Sequence, residues 1–324
     1  MHGALRPMIG PIHPYIFLKE SEVKNTIILI LGDRGQLGSE LIAQLSQDSF
    51  QVLRGSEHAL DISDLEVCVS LLDQLSPDII INAAAYTAVD AAEDNREQAF
   101  LVNAESPKTI ASWCQQHSCY FIHISTDYVF SGAKPLYNTY CEDDAVNPVS
   151  VYGQSKLQGE TQIAEVMTHG YAILRTAWLY GFYGNNFLKT MLKLTLANPD
   201  REFKIVSDQF GSPTSTIALS HQILSFINKR EKGEPVTGVF HATSEDYCSW
   251  YEFACEFFKI MNVKQNFIPC TTKEYPTAAT RPINSILENK KLNALDINSF
   301  ITWRQDLERY VNQHGEQLLI EFKS

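Results

Sequence analysis

Thr26 to Leu31 reads TIILIL, a continuous apolar run rich in β-branched residues. Such a run marks a strand buried on both faces, as in a parallel sheet covered by helices. It runs straight into Gly32-Asp33-Arg34-Gly35-Gln36-Leu37-Gly38, and a helical spacing of Leu37, Leu41, Ile42 and Leu45 follows. Strand, glycine loop and helix, in that order, leave few folds open. Gly32, Gly35 and Gly38 permit a tight turn and close approach of backbone to a pyrophosphate, which the helix N-terminus then faces. The spacing is G-x-x-G-x-x-G, and its context predicts dinucleotide binding.

The alternation continues. A short second strand over Gln51 to Leu53 ends at Arg54, and a third over Ile79 to Ile81 ends in Asn82-Ala83-Ala84-Ala85-Tyr86-Thr87. A fourth over Tyr120 to Ile124 runs into Ser125-Thr126-Asp127-Tyr128-Val129-Phe130, and a fifth covers Tyr171 to Arg175. Helical patterns separate them, and Trp113 falls on an apolar face of one, as a core residue does. This predicts an α/β fold, a Rossmann-type doubly wound parallel sheet, over residues 25–180. After 180 the texture changes. Residues 181–324 are expected to form a smaller, interleaved C-terminal substrate domain, with 215–241 rejoining the main sheet. Residues 1–24 carry three prolines and no basic-then-apolar signal pattern, and read as an N-terminal extension.

Composition narrows the partners. A net charge of −12 without a dense Lys/Arg block argues against nucleic acid or an anionic membrane surface. No apolar run reaches the roughly 20 residues needed to span a bilayer. The seven cysteines are scattered, with no C-x-x-C pair. They read as free thiols in a reducing compartment, hence a cytoplasmic protein, and give no zinc site. At the end of strand two an acid would suit the ribose hydroxyls of NAD, whereas an Arg can receive the 2′-phosphate of NADP. Arg54, with Arg34, therefore favours NADPH, and NADH stays open.

Tyr152-Gly153-Gln154-Ser155-Lys156 opens a helix that starts near Ser150. Tyr152 and Lys156 are one turn apart and share a face. A free phenol has a pKa of about 10, and a neighbouring ammonium draws it toward the working range. Tyr-x-x-x-Lys also occurs by chance on solvated helices, so the other motifs carry weight. A hydroxyl at the end of the fourth strand, such as Thr126, lies on the ligand edge of the sheet and can hydrogen-bond a substrate carbonyl.

Together these stretches resemble the extended short-chain dehydrogenase/reductase family. More narrowly, they are similar to its dTDP-4-dehydrorhamnose reductase branch. The narrower likeness rests on Ser125-Thr126-Asp127-Tyr128-Val129-Phe130, Arg175-Thr176-Ala177-Trp178, Gly184-Asn185-Asn186-Phe187, and Tyr275-Pro276-Thr277 with Arg281-Pro282. The resemblance implies NADPH-dependent reduction of a 4-keto group on a nucleotide-linked 6-deoxy sugar, giving dTDP-L-rhamnose. It makes Tyr152 the proton donor, with Lys156 lowering its pKa and holding the nicotinamide ribose, and has Thr126 polarise the carbonyl. Gly35, Gln36, Leu37, Asp61, Ile62, Ala85, Tyr86 and Thr87 match the family's cofactor contacts. Thr126, Asp127 and Trp178 match its sugar contacts. Arg281 is the candidate for the diphosphate, against the alternative of a surface salt bridge.

Some members of that branch bridge a dimer through a metal held by three acids. Glu40 stands at one of those positions, but Thr216 and Arg304 stand at the others. The sequence therefore argues against a bridging Mg²⁺ and that mode of pairing, while a homodimer stays open. Two other readings compete. One is a non-catalytic, NADP-binding regulatory subunit like the β-subunit of methionine adenosyltransferase. The other is a different nucleotide-sugar reductase or epimerase. The retained Thr126, Asp127, Tyr152, Lys156 and Trp178 favour the reductase.

Overall fold

The structure, a computed structural model, describes residues 26–48 and 50–323. The expectation for residues 1–24 lies outside the described residues. Five strands, β1 (Ile27–Leu31), β2 (Gln51–Arg54), β3 (Ile79–Asn82), β4 (Tyr120–Thr126) and β5 (Tyr171–Thr176), join a sixth over Gly238–His241 in one sheet. The order is Gly238–His241, β5, β4, β3, β1, β2, and every pair is parallel. The sheet is thus doubly wound. Its return strand comes from beyond residue 215, with His241 in register with Arg175.

Both faces are dry. Ile28, Ile30, Ile79 and Ile81 point to one side, under the helices Gln36–Leu45 and Thr216–Glu231. Leu29, Leu31, Ile80 and Phe121 point to the other, under Leu65–Leu75 and Ser106–His117. The two-residue period of a strand makes this division, and continuous apolar runs serve both faces. Each fully buried Ile or Leu contributes roughly 1.5–3 kcal/mol. Trp113 belongs to the second core, and its Nε1 donates to Asp73 Oδ1 at 2.7 Å.

A separate, aromatic-rich core gathers Tyr180, Phe253, Phe257, Trp303 and Tyr310. It lies among the helices Phe187–Ala197, Trp250–Ile260 and Trp303–Lys323 and a parallel strand pair, Phe203–Val206 with Phe267–Cys270. Among the described residues no helix is long and apolar enough to cross a membrane.

Strand order reverses between β1 and β3. In such sheets ligands bind outside the carboxyl ends of the strands at this point.

Candidate active site

A cleft of about 770 Å³ opens there, lined by the ends of β1, β3 and β4, the start of the Tyr152 helix and the segment after β5. Gly32 holds the first turn at φ +76°, and a Cβ there would meet Ala84 N at 2.6 Å. The glycine thus lets the β1 and β3 loops lie back to back. Gly35, Gln36 and Leu37 line the cleft, as do Asp61, Ile62, Ala85 and Thr87. Gly38 sits behind the loop, against the Gly32 carbonyl, where it shapes the wall rather than lining it. Asn186 ties the opposite rim to the loop, its Nδ2 donating to Gln36 Oε1 at 3.2 Å.

Val151–Val166 is a helix because Ser150 caps it. Ser150 Oγ accepts from Gly153 N at 3.2 Å, and Glu93 accepts from Val151 N at 2.9 Å. Gly153 sits against the Tyr128 carbonyl, where a Cβ would collide, so the helix approaches the β4 loop closely. This approach brings Tyr152 and Lys156 beside Thr126 and Asp127 in the cleft. Asn103, fully buried in a π-helical turn over Leu101–Glu105, clamps the arrangement. Its Oδ1 accepts from Tyr86 N at 2.8 Å, and its Nδ2 donates to Tyr86 O at 3.1 Å and Ser155 Oγ at 3.0 Å. Tyr86 is therefore held through its backbone, and it does not line the cleft.

The electrostatics differ in one respect from the sequence expectation. Burial pushes the Tyr152 phenol up to about 12, although the Thr126 hydroxyl pulls the other way. No hydrogen bond joins it to Lys156, whose amine is turned to Ile124 O at 2.6 Å and His123 Nε2 at 3.3 Å. Burial draws Lys156 itself down to about 8, against the pull of Glu160. Glu160 is in turn paired with Arg175, at 2.7 Å from Nη2, with both side chains buried. Asp127 is 2% exposed, and burial lifts its carboxyl to about 6. Its Oδ1 accepts from Thr126 Oγ1 at 3.0 Å, and the Ser285 hydroxyl, close to the carboxyl, pulls its value down against burial.

Trp178 lines the same cleft with left-handed backbone, φ +47°, strained for a bulky residue. Its indole stacks on Trp250 at 3.6 Å between centroids, and Gly211 leaves room for the ring.

Arg54 and Arg281 stand outside the lining. Arg54 is half exposed beside Glu57, at 3.6 Å, while Arg34 does line the cleft. Arg281 Nη2 pairs with Asp90 at 2.7 Å, and its Nε has no partner. The salt bridge expected as the alternative is present, and the free Nε leaves a donor over. Glu40 is buried and accepts from Gln44 at 2.9 Å and from Thr216 at 3.5 Å. Among the described residues no cluster of three His, Cys, Asp or Glu side chains could hold a metal ion. Asn103 and His123 were not legible as site residues, since each is a lone polar position beside apolar neighbours.

The description "RmlD substrate binding domain" matches residues 26–315. The chain is 38% identical over 273 residues to dTDP-4-dehydrorhamnose reductase of Aggregatibacter actinomycetemcomitans, covering 82% of this chain and 91% of that protein. It is 34% identical over 290 residues to the spore coat polysaccharide biosynthesis protein SpsK of Bacillus subtilis, covering 90% and 98%. The crystal structure of dTDP-4-dehydrorhamnose reductase from Bacillus anthracis in complex with NADP superposes with a TM-score of 0.82 at 36% identity. It covers 89% of this chain and 99% of that one.

Proposed function

The chain belongs to the dTDP-4-dehydrorhamnose reductase family of NADP-dependent oxidoreductases, and from that membership we propose its reaction. It reduces the C4 keto group of dTDP-4-dehydro-6-deoxy-L-mannose (dTDP-4-dehydro-L-rhamnose) to dTDP-L-rhamnose. The observation that carries the reading is the convergence of Thr126, Asp127, Tyr152, Lys156 and Trp178 on one cleft with the Gly32–Leu37 loop.

The cofactor fits this wall. The glycine loop and the Ala83–Ala85 strand end present backbone rather than side chains, which suits a dinucleotide. Gly32, Gly35, Gln36, Leu37, Asp61, Ile62, Ala85 and Thr87 would hold it, with Arg34 at the cleft for a 2′-phosphate. Bound NADPH supplies the hydride.

Tyr152 donates the proton to the developing alkoxide. A phenol lifted by burial stays protonated at neutral pH, as a donor must. Thr126 Oγ1 now donates to Asp127 and turns that proton to the C4 oxygen when the substrate arrives. A sugar hydroxyl then donates to the Asp127 carboxylate at the cleft wall. Trp178, stacked on Trp250, gives the ring a rigid apolar wall. Arg281, paired with Asp90 beside the cleft, is the candidate for the diphosphate.

The test is loss of reduced-nicotinamide absorbance when the freshly generated 4-keto sugar nucleotide is added, with NADPH and NADH in parallel. Stoichiometric oxidation to dTDP-L-rhamnose is expected, faster with NADPH. A protein that binds NADPH but oxidises none would abandon this substrate, and reversible epimerisation without net oxidation would replace the reaction.

A further inference from the structure

His123 lies on β4 directly beneath Lys156 and is fully buried. Its two ring nitrogens face different neighbours: Asn82 Nδ2 is 3.2 Å from Nδ1, and Lys156 Nζ is 3.3 Å from Nε2. The Asn82 amide is oriented by a third contact, because Ala84 N donates to its Oδ1 at 3.1 Å. The Asn82 NH₂ must therefore point at His123, and His123 Nδ1 must accept.

A neutral imidazole that accepts at Nδ1 carries its proton on Nε2. That N–H then points at Lys156. An ammonium has three donors and no acceptor, so a charged Lys156 would set donor against donor. An uncharged amine has one lone pair. With it, every contact runs one way: Ala84 N–H to Asn82 Oδ1, Asn82 NH₂ to His123 Nδ1, His123 Nε2–H to Lys156 Nζ, and Lys156 N–H to Ile124 O at 2.6 Å. The chain is buried, where a mismatched donor pair is expensive.

We propose that His123 is a positioning residue for Lys156: Asn82 locks its imidazole in the Nε2–H tautomer, and that N–H holds Lys156 as an uncharged amine until an anionic, hydroxyl-bearing ligand draws it away. Lys156 then takes up a proton as it leaves His123 for the ligand. The functional weight of the switch rests on the reading that Lys156 serves the cofactor, but the tautomer itself does not. The other ionisable groups around Lys156 are Tyr152 and Glu160 on its own helix, Asp127 just after β4 and Arg175 on β5; Glu160 favours the ammonium, and Arg175, paired with Glu160, opposes that pull. Burial lowers the basicity of both Lys156 and His123, in the same sense as the hydrogen-bond chain.

The decisive measurement is long-range proton–nitrogen correlation NMR on ligand-free protein with ¹⁵N-labelled histidine, His123 being assigned by its loss in His123→Gln. A neutral ring with the proton on Nε2 is expected at pH 9, above the value of about 8 to which burial draws Lys156. Asn82→Asp replaces the donor with an acceptor and should turn the ring over to the Nδ1–H tautomer. It also assigns the signal should the Gln variant not fold. An Nδ1–H or charged ring in the unaltered protein overturns the proposal, as does an unchanged tautomer in Asn82→Asp.

A second readout is calorimetry of NADPH binding at about pH 9, above the value of about 8 to which burial draws Lys156, in two buffers of different ionisation enthalpy. Close to one proton should be taken up per cofactor bound, and much less in His123→Gln, whose side-chain carbonyl accepts from an ammonium. Equal uptake in both proteins would assign the effect to burial alone and overturn the role of His123. A protein that binds no NADPH would sink the reductase reading, while the NMR result would still judge the tautomer.

Discussion

Asn103 Nδ2 donates to Ser155 Oγ at 3.0 Å, joining the π-helical turn before the helix Ser106–His117 to the residue just ahead of Lys156. The same amide closes a two-bond clamp on the Tyr86 backbone. One side chain thus couples the end of β3, which walls the cleft, to the helix that carries Tyr152 and Lys156. Asn103→Leu keeps the volume and strips three hydrogen bonds, leaving buried backbone groups unpaired. A stability loss of about 2–4 kcal/mol is expected from such orphaned groups. A fall in kcat larger than any rise in KM should accompany it. Chemical denaturation and steady-state kinetics check both, and an unchanged kcat would detach Asn103 from the reacting groups.

Tyr152→Phe removes the proposed proton donor and keeps the ring that packs edge-on to Tyr128 at 5.8 Å. Turnover should fall by roughly 10²–10⁴, the usual worth of a positioned general acid. NADPH affinity, followed by fluorescence titration, should change little. Near-normal turnover in the variant would assign the proton to another group.

Arg34 and Arg54 were both expected to favour NADPH, but only Arg34 lines the cleft. Arg54 is turned to Glu57. Arg34→Asp should therefore lower the NADPH-to-NADH ratio of kcat/KM by more than Arg54→Asp does. The opposite ranking would return the 2′-phosphate to Arg54.

Asp127 has its carboxyl lifted by burial from 3.8 to about 6. The folded protein thus binds a proton that the unfolded chain has already lost. Stability contributed by this group is present below about pH 4 and falls as pH rises toward 6, after which the deficit is constant. The span corresponds to about 3 kcal/mol at most. Asp127→Asn should flatten the pH dependence of unfolding in that window and be relatively more stable at pH 7 than at pH 4. Parallel urea titrations of the two proteins at pH 4, 5, 6 and 7 measure the difference. Identical slopes would mean that the carboxylate is solvated.

Much of this site was readable from local pattern. A buried strand, a glycine loop and an apolar helix stripe are contiguous, so Thr26 to Leu45 carried its own structural meaning. The same holds for Tyr152 and Lys156, one helical turn apart. His123 and Asn103 were not readable in this way. Each is one polar residue in a segment whose other positions pack, and its partners lie 17 to 52 residues away.

The amino-acid order by itself determined the alternation of buried strand and helix, the glycine loop after β1 and the pairing of Tyr152 with Lys156 on one helix face, because these follow from short-range period and turn chemistry. The tertiary structure alone decided the direction in which each polar group points. Lys156 faces Ile124 and His123 rather than Tyr152, Arg54 faces Glu57, and Arg281 faces Asp90. Hydrogen bonds and ion pairs are directional and reach only about 3–4 Å. Their partners are therefore set by which distant segments packing brings together.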